Sequence, residues 1–321
     1  MNFRHPSNAR LPNEPAFDAH FPAASGGPGS RRYDASSTTE QRTSIENGLW
    51  CCRDHGTLID TDEVTYSTAM LKGWRVIAEK KAELRHAHGD MEFAGSRELV
   101  RVGLVDDALA LTANDDVNGT VGNLVVHCCV ADIWGRGVAD SVRDFLIEHT
   151  KNAFEHAAAT QVLIKVHPRN IVVEDNGRHF ELHSLADHPR GRGGRLAYRA
   201  LLGALKIHAI SSTFETLNGN VVHVPLVSDS RELAATNPCT ASIDRSEFRS
   251  PRVSFSQFSY CDTIYIIAPD FLSYSDLPGL DLIVKSAQTT QKRIAVVVSK
   301  VSDAVIAHSR GLLSDVEIIS W

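Results

Sequence analysis

No stretch of the 321 residues is apolar over anything near the ~18 positions that a membrane-crossing helix needs, so nothing in the chain reads as a transmembrane span. The N-terminus is polar and lacks the basic, apolar and small-residue order of a secretory signal; the expected location is cytoplasmic. Cysteine is scarce, six in all, and four of these sit in the adjacent pairs Cys51-Cys52 and Cys128-Cys129. That is no disulfide framework, and reduced thiols are the expectation. Cys128 and Cys129 read as small buried core residues. Positive charge is not in excess either: 33 Lys and Arg against 39 Asp and Glu leave a net charge of −6. This excludes a generally basic nucleic-acid coat while leaving room for local basic patches.

What is present supports two or three domains with real cores, given the length and a hydrophobic content of 43%. Residues 1 to about 45 are rich in Pro, Ser, Gly, Asn and Arg and read as a disordered start, with Ser25-Gly-Gly-Pro-Gly-Ser-Arg-Arg as a loop signal. Strand character appears at Leu99-Val-Arg-Val-Gly-Leu-Val and Asn123-Leu-Val-Val-His-Cys-Cys-Val, and both are expected to begin a central sheet. Past Leu226 a polar stretch, 227–250, reads as a linker. Beyond it strand-like Val253-Ser-Phe-Ser-Gln-Phe, Thr263-Ile-Tyr-Ile-Ile-Ala and Arg293-Ile-Ala-Val-Val-Val alternate with helix-like segments up to a terminal Val316-Glu-Ile-Ile-Ser. Residues 251–321 are therefore expected to form a small α/β interaction or output domain.

The most informative segment is Phe145-Leu-Ile-Glu-His-Thr-Lys-Asn152-Ala-Phe. Glu148 and Asn152 are four apart and share one face of a helix. An Asn side-chain oxygen can ligate a hard, largely hydrated Mg²⁺, and a carboxylate four residues earlier can orient or deprotonate a water. Downstream, Asp175-Asn-Gly177 ends a β-rich run. Its carboxylate can accept from an exocyclic amine, and its glycine lets the backbone approach a base. Gly191-Arg-Gly193-Gly194-Arg195 then runs into helix-like Leu196-Ala-Tyr-Arg-Ala-Leu-Leu, and a hairpin-like Ala209–Leu226 closes the set.

In content and order these pieces resemble the GHKL (histidine kinase-like) ATPases over residues 98–226, with Glu148 to Ala153 matching the Glu-x-x-x-Asn-Ala helix and Asp175-Asn-Gly177-Arg-His179 the Asp-x-Gly-x-Gly motif. His179 stands where the second glycine is usual, and Asn220 where a Thr often follows the hairpin glycine. The resemblance implies an α+β sandwich that binds ATP and Mg²⁺. Glu148 would be general base, Asn152 the Mg²⁺ ligand, Asp175 and Gly177 adenine contacts, and Gly191, Gly193 and Gly194 a phosphate cradle. It implies a nucleotide-dependent switch and, as alternatives, an anti-sigma-like protein kinase or a nucleotide-sensing scaffold without turnover.

A second resemblance covers residues 19–84, within a 1–90 module. His20, Asn47-Gly-Leu-Trp-Cys-Cys52, His55 and the helix-like Tyr66–Leu84 resemble the HNH-like treble-clef modules. Gly56 stands where those modules carry a His, and no Cys-x-x-Cys precedes Cys51, so the resemblance implies a degenerate scaffold without nuclease activity. Cys52 and His55 are the pair left for a zinc. An ATPase joined to such a module implies DNA or a partner protein as the object of the switch, in defence or repair, and a homodimer as the assembly.

Overall fold

The computed structural model describes residues 23–183, 185, 193–215, 219–249, 252–313 and 315–320, with the backbone alone for 19–20. The chain divides into two compact units: Met1–Asp107 with Val126–Gly135, and Ala108–Val125 with Arg136–Trp321.

In the first unit a short antiparallel pair, β1 (Ala19–His20) and β2 (Cys51–Cys52), joins the helices α1 (Thr39–Thr43), α2 (Arg53–Thr61) and α3 (Thr68–His88). Ser67 starts α3 by accepting from the Met70 N–H, which satisfies one of the free donors of the first turn. The face of α3 that carries Met70, Leu71, Trp74 and Ile77 is buried, as a 3.6-residue period requires. The indole of Trp74 is almost fully buried and donates to the His127 carbonyl at 2.7 Å.

The strand expectation fails at two places in the middle of the chain. Residues 97–102 form α4 (Arg97–Val102): Ser96 caps the Leu99 N–H, and Gly103, at φ 87°, ends the turn. Residues 117–127 form α5 (Val117–His127). Val117, Val121, Leu124 and Val125 are its buried residues, so the β-branched content that suggested a strand falls at helical spacing. α6 (Val130–Trp134) follows, and then α7 (Arg136–Glu155).

The second unit contains a five-stranded sheet in the order β3-β4-β5-β7-β6, formed by Asp107–Leu111, Val162–His167, Asn170–Asp175, Gly219–Pro225 and Ser211–Glu215. The pairs β4·β5, β5·β7 and β6·β7 are antiparallel, and Asp175 stands opposite Val162 on one side and Asn220 on the other. Helices α7 and α8 (Gly193–Ala204) pack together, with the rings of Phe145 and Tyr198 6.0 Å apart.

The same unit holds a four-stranded, fully parallel sheet whose spatial order follows the chain: β8 (Thr240–Ser242), β9 (Thr263–Ile267), β10 (Arg293–Val298) and β11 (Glu317–Ser320). β9 is buried along its whole length and β10 along all but its first residue, the pattern of parallel strands covered on both faces. Helices α10 (Leu277–Gln288) and α11 (Asp303–Leu312) supply part of that cover. No strand forms at 253–258; a 3₁₀ turn at Ser256–Phe258 tucks Phe255 and Phe258 into the core instead. Nor is 227–250 an open linker, because it contains α9 (Ser230–Thr236) and β8. Overall the class is mixed α/β.

The two sheets are tied along an edge. The β6 residue Thr213 forms an antiparallel bridge with Cys261, and the Asp262 N–H donates to the Ser212 carbonyl at 3.0 Å. Asp262 in turn accepts from the backbone N–H and hydroxyl of Ser212. This covers the exposed ladder of an edge strand. Cys261 is also bonded to Cys239 as a disulfide, so the expectation of reduced thiols does not hold for this pair. Its cause is tertiary: parallel pairing of β8 with β9 brings the residues just ahead of them to a Cα separation of 5.8 Å, across 22 positions of sequence. Cys51, Cys52, Cys128 and Cys129 are free.

A thiol titration of denatured, unreduced protein should therefore count four thiols. Reduction should lower stability by about 2–4 kcal/mol through the released loop, read as a shift in the denaturation midpoint. Six thiols, or a midpoint indifferent to reductant, would contradict the bond.

Candidate functional site

Glu148 and Asn152 lie on α7, whose buried residues include Phe145, Leu146, His149 and Ala153. That apolar stripe anchors the helix, which leaves the acid and the amide half-buried beside it. The first residues of α8 lie directly against them. A Cβ built at Gly193 would come within 1.9 Å of Glu148 Oε2, and one at Gly194 within 2.5 Å of Asn152 Nδ2. Both clashes are with the ends of flexible side chains, so an alanine there would displace the two polar heads rather than block the fold. The first-turn amides of this 12-residue helix have no partner within the helix, and its N-terminal end carries partial positive charge. An acid, a side-chain amide and an anion-favouring helix start thus converge.

Asp175 ends the central strand β5 and is 3% exposed. Its Oδ1 accepts from the Gly177 N–H at 2.8 Å and from the Asn220 amide at 2.9 Å. The same amide donates to the Arg178 carbonyl, and its oxygen accepts from the Phe180 N–H. Asn220 is therefore the clamp that closes the turn after Asp175 onto β7. The clamp depends on Gly219, at φ 81°, where a Cβ would lie 2.0 Å from the Asp175 carbonyl oxygen. Gly177 is similarly confined, with Asp175 Oδ1 and Ala157 within about 3 Å of where a Cβ would stand. His179 is exposed, its ring 4.6 Å from that of Phe214.

The structure thus gathers Glu148 and Asn152 with Gly193 and Gly194, and Asp175 with Gly177; Gly191 lies outside the described residues. A residue not singled out from sequence also belongs here. His149 is 4% exposed, stacked at 5.5 Å on Phe145, with Nε2 3.8 Å from Asp175 Oδ2. Burial holds its pKa below the ordinary value against the pull of Asp175, which keeps the imidazole neutral. Its signal in the sequence was a polar residue in step with the apolar Phe145 and Ala153. A cavity of about 470 Å³ adjoins the same helix at Lys151, Phe154 and Glu155, but none of the sequence-predicted residues lines it.

In the first unit Cys52 Sγ and His55 Nδ1 are 2.8 Å apart and contact each other. No group of three or more His, Cys, Asp or Glu among the described residues can hold a metal. Two donors fall short of the four that a structural zinc takes, so among the described residues the zinc set is incomplete. The Asn47 amide is fully engaged in holding its own loop, accepting from the Ser25 N–H and donating to the Ser25 and Arg42 carbonyls. Gly56 is buried on α2, and the His20 side chain lies outside the described residues. Burial pushes the Cys51 thiol up to about 11 and that of Cys129 to about 12, which suits core residues rather than nucleophiles.

No protein-family model, curated protein or solved structure matches the chain. Among the described residues no helix is long and apolar enough to cross a membrane.

Asn220→Ala should destabilise the second unit by about 1–3 kcal/mol, because it strips partners from a buried carboxylate and two backbone groups; an unchanged urea midpoint would refute the clamp. Metal analysis of the purified protein should find well under one zinc per chain, and a full equivalent removed only by chelator would overturn the present assignment.

Proposed function

We propose that the five-stranded sheet with α7 and α8 is a Mg-ATP-binding domain of the GHKL type, and that the protein is a nucleotide-dependent switch with ATPase activity. The observation that carries this reading is the approach of Gly193 and Gly194 to Glu148 and Asn152, residues some forty positions apart in sequence. Together they offer an anion-favouring helix start, an oxygen ligand and a carboxylate in one place. The buried Asp175 at the end of the neighbouring strand adds an acceptor suited to an exocyclic amine.

In this scheme bound Mg²⁺ supplies charge neutralisation on the phosphates. The chain's own part is positional. Asn152 would hold the cation through its side-chain oxygen, and the Gly193 and Gly194 amides, which carry no Cβ, would receive the phosphates. Glu148 would accept a proton from the attacking water, and Asp175 would hold the base. His183 links α8 to the parallel-sheet domain: its Nδ1 meets the Tyr198 hydroxyl at 2.8 Å and its Nε2 is 3.7 Å from Asp262 Oδ2. This supports the parallel-sheet domain as the output of the switch. The N-terminal unit, with Asn47 committed to its loop and no zinc set among the described residues, acts in this reading as a docking scaffold toward DNA or a partner protein, not as a nuclease.

Equilibrium binding of Mg-ATP and phosphate release, with and without DNA, test the proposal. Glu148→Ala should retain binding and lose turnover by about 10²–10⁴-fold, whereas Asn152→Ala should weaken binding specifically when Mg²⁺ is present. Wild-type protein that binds no adenine nucleotide would end this reading; binding without turnover in any form would leave a sensor in place of an ATPase.

A further inference from the structure

His149 is the clearest unpaid polar group in the second unit. Neither ring nitrogen has a hydrogen-bond partner among the described residues, although the side chain is only 4% exposed. Buried imidazoles normally find partners, because an unmet donor costs roughly 1–3 kcal/mol. The nearest candidate, Asp175 Oδ2, is 3.8 Å from Nε2, beyond hydrogen-bonding range. The geometry is that of two polar atoms side by side: an acceptor on Asp175 and, in the neutral ring, an N–H donor that burial keeps from becoming a cation. Phe145 stacks on the imidazole and Phe180 stands 6.3 Å away, so the pair has apolar walls. Asp175 Oδ1 already accepts from Gly177 and Asn220; the oxygen beside His149, Oδ2, lies 3.8 Å from Nε2, and we take it as the one left for a ligand.

We infer that His149 is a specificity-determining residue that reads the nucleobase jointly with Asp175, the carboxylate accepting from an exocyclic amine and the imidazole N–H donating to the purine ring nitrogen next to it. The inference rests on the nucleotide-site reading above and adds to it a base contact made by the residue that follows Glu148. An adenine offers the required donor and acceptor on adjoining positions, with N1 on one side of the amine and N7 on the other. Occupation of the site would satisfy both the orphaned imidazole and the second carboxylate oxygen.

The test compares ATP with 1-deaza-ATP and 7-deaza-ATP, each lacking one of those ring nitrogens, on wild type, His149→Leu and His149→Gln. Wild type should bind one of the two analogues about tenfold more weakly than ATP, the loss of one buried hydrogen bond. His149→Leu should bind ATP and that analogue alike, and His149→Gln, which keeps an N–H donor, should restore part of the discrimination. Should the leucine variant fail to fold, the wild-type preference together with the glutamine variant still decides the point. Wild type that binds ATP and both analogues equally overturns the inference while leaving the nucleotide site standing. So does discrimination that persists undiminished in a folded His149→Leu. Absence of all nucleotide binding removes the site itself, a separate result.

Discussion

The buried carboxylate of Asp175 is the constraint around which the second unit is arranged. A 3%-exposed acid at the end of a central strand must be met by donors, and here they come from two directions: the Gly177 N–H of its own turn and the Asn220 amide of the neighbouring strand. Asn220 reaches it only because Gly219 lets β7 begin against the Asp175 backbone. Register, turn and hairpin are therefore one problem with one solution. A residue with a side chain at 219, or one without donors at 220, would strand the charge.

A second set of contacts ties α8 to the parallel sheet. Tyr198 of α8 meets His183, and His183 Nε2 lies 3.7 Å from Asp262 at the edge where Ser212 and the Cys239–Cys261 bond join the two sheets. Asn237 reinforces the junction. It is 1% exposed, donates to the Ala209 carbonyl and accepts from the Ser211 hydroxyl and the Cys239 N–H. The two sheets are thus held by hydrogen bonds and a disulfide rather than by a free tether.

Departures from the resembled family acquire physical meaning in this frame. Asn220, read against a usual Thr, provides two donors and an acceptor where a hydroxyl offers fewer, and all three are used. His149 occupies a place on the apolar stripe of α7 and yet keeps both nitrogens unmet. In the first unit the opposite holds. Asn47, one of the residues that resemble the HNH-like modules, spends its whole amide on loop closure, and Cys52 contacts His55.

The helix carrying Glu148 and Asn152, the strands ending at Asp175, the helix after Gly193 and the alternation of strand and helix beyond Thr263 were legible in the sequence, because each is written in a window of a dozen residues as period, cap or turn. The segments at 97–102 and 117–127 were not, since β-branched residues at helical spacing satisfy either reading until packing chooses. Tertiary structure alone decided that residues 240–242 complete a parallel sheet, that Cys239 meets Cys261, that Asn220 closes on Asp175 and that His149 is buried beside it. Each of these joins residues 20 or more positions apart through strand register or core packing, and no local pattern encodes such a distance.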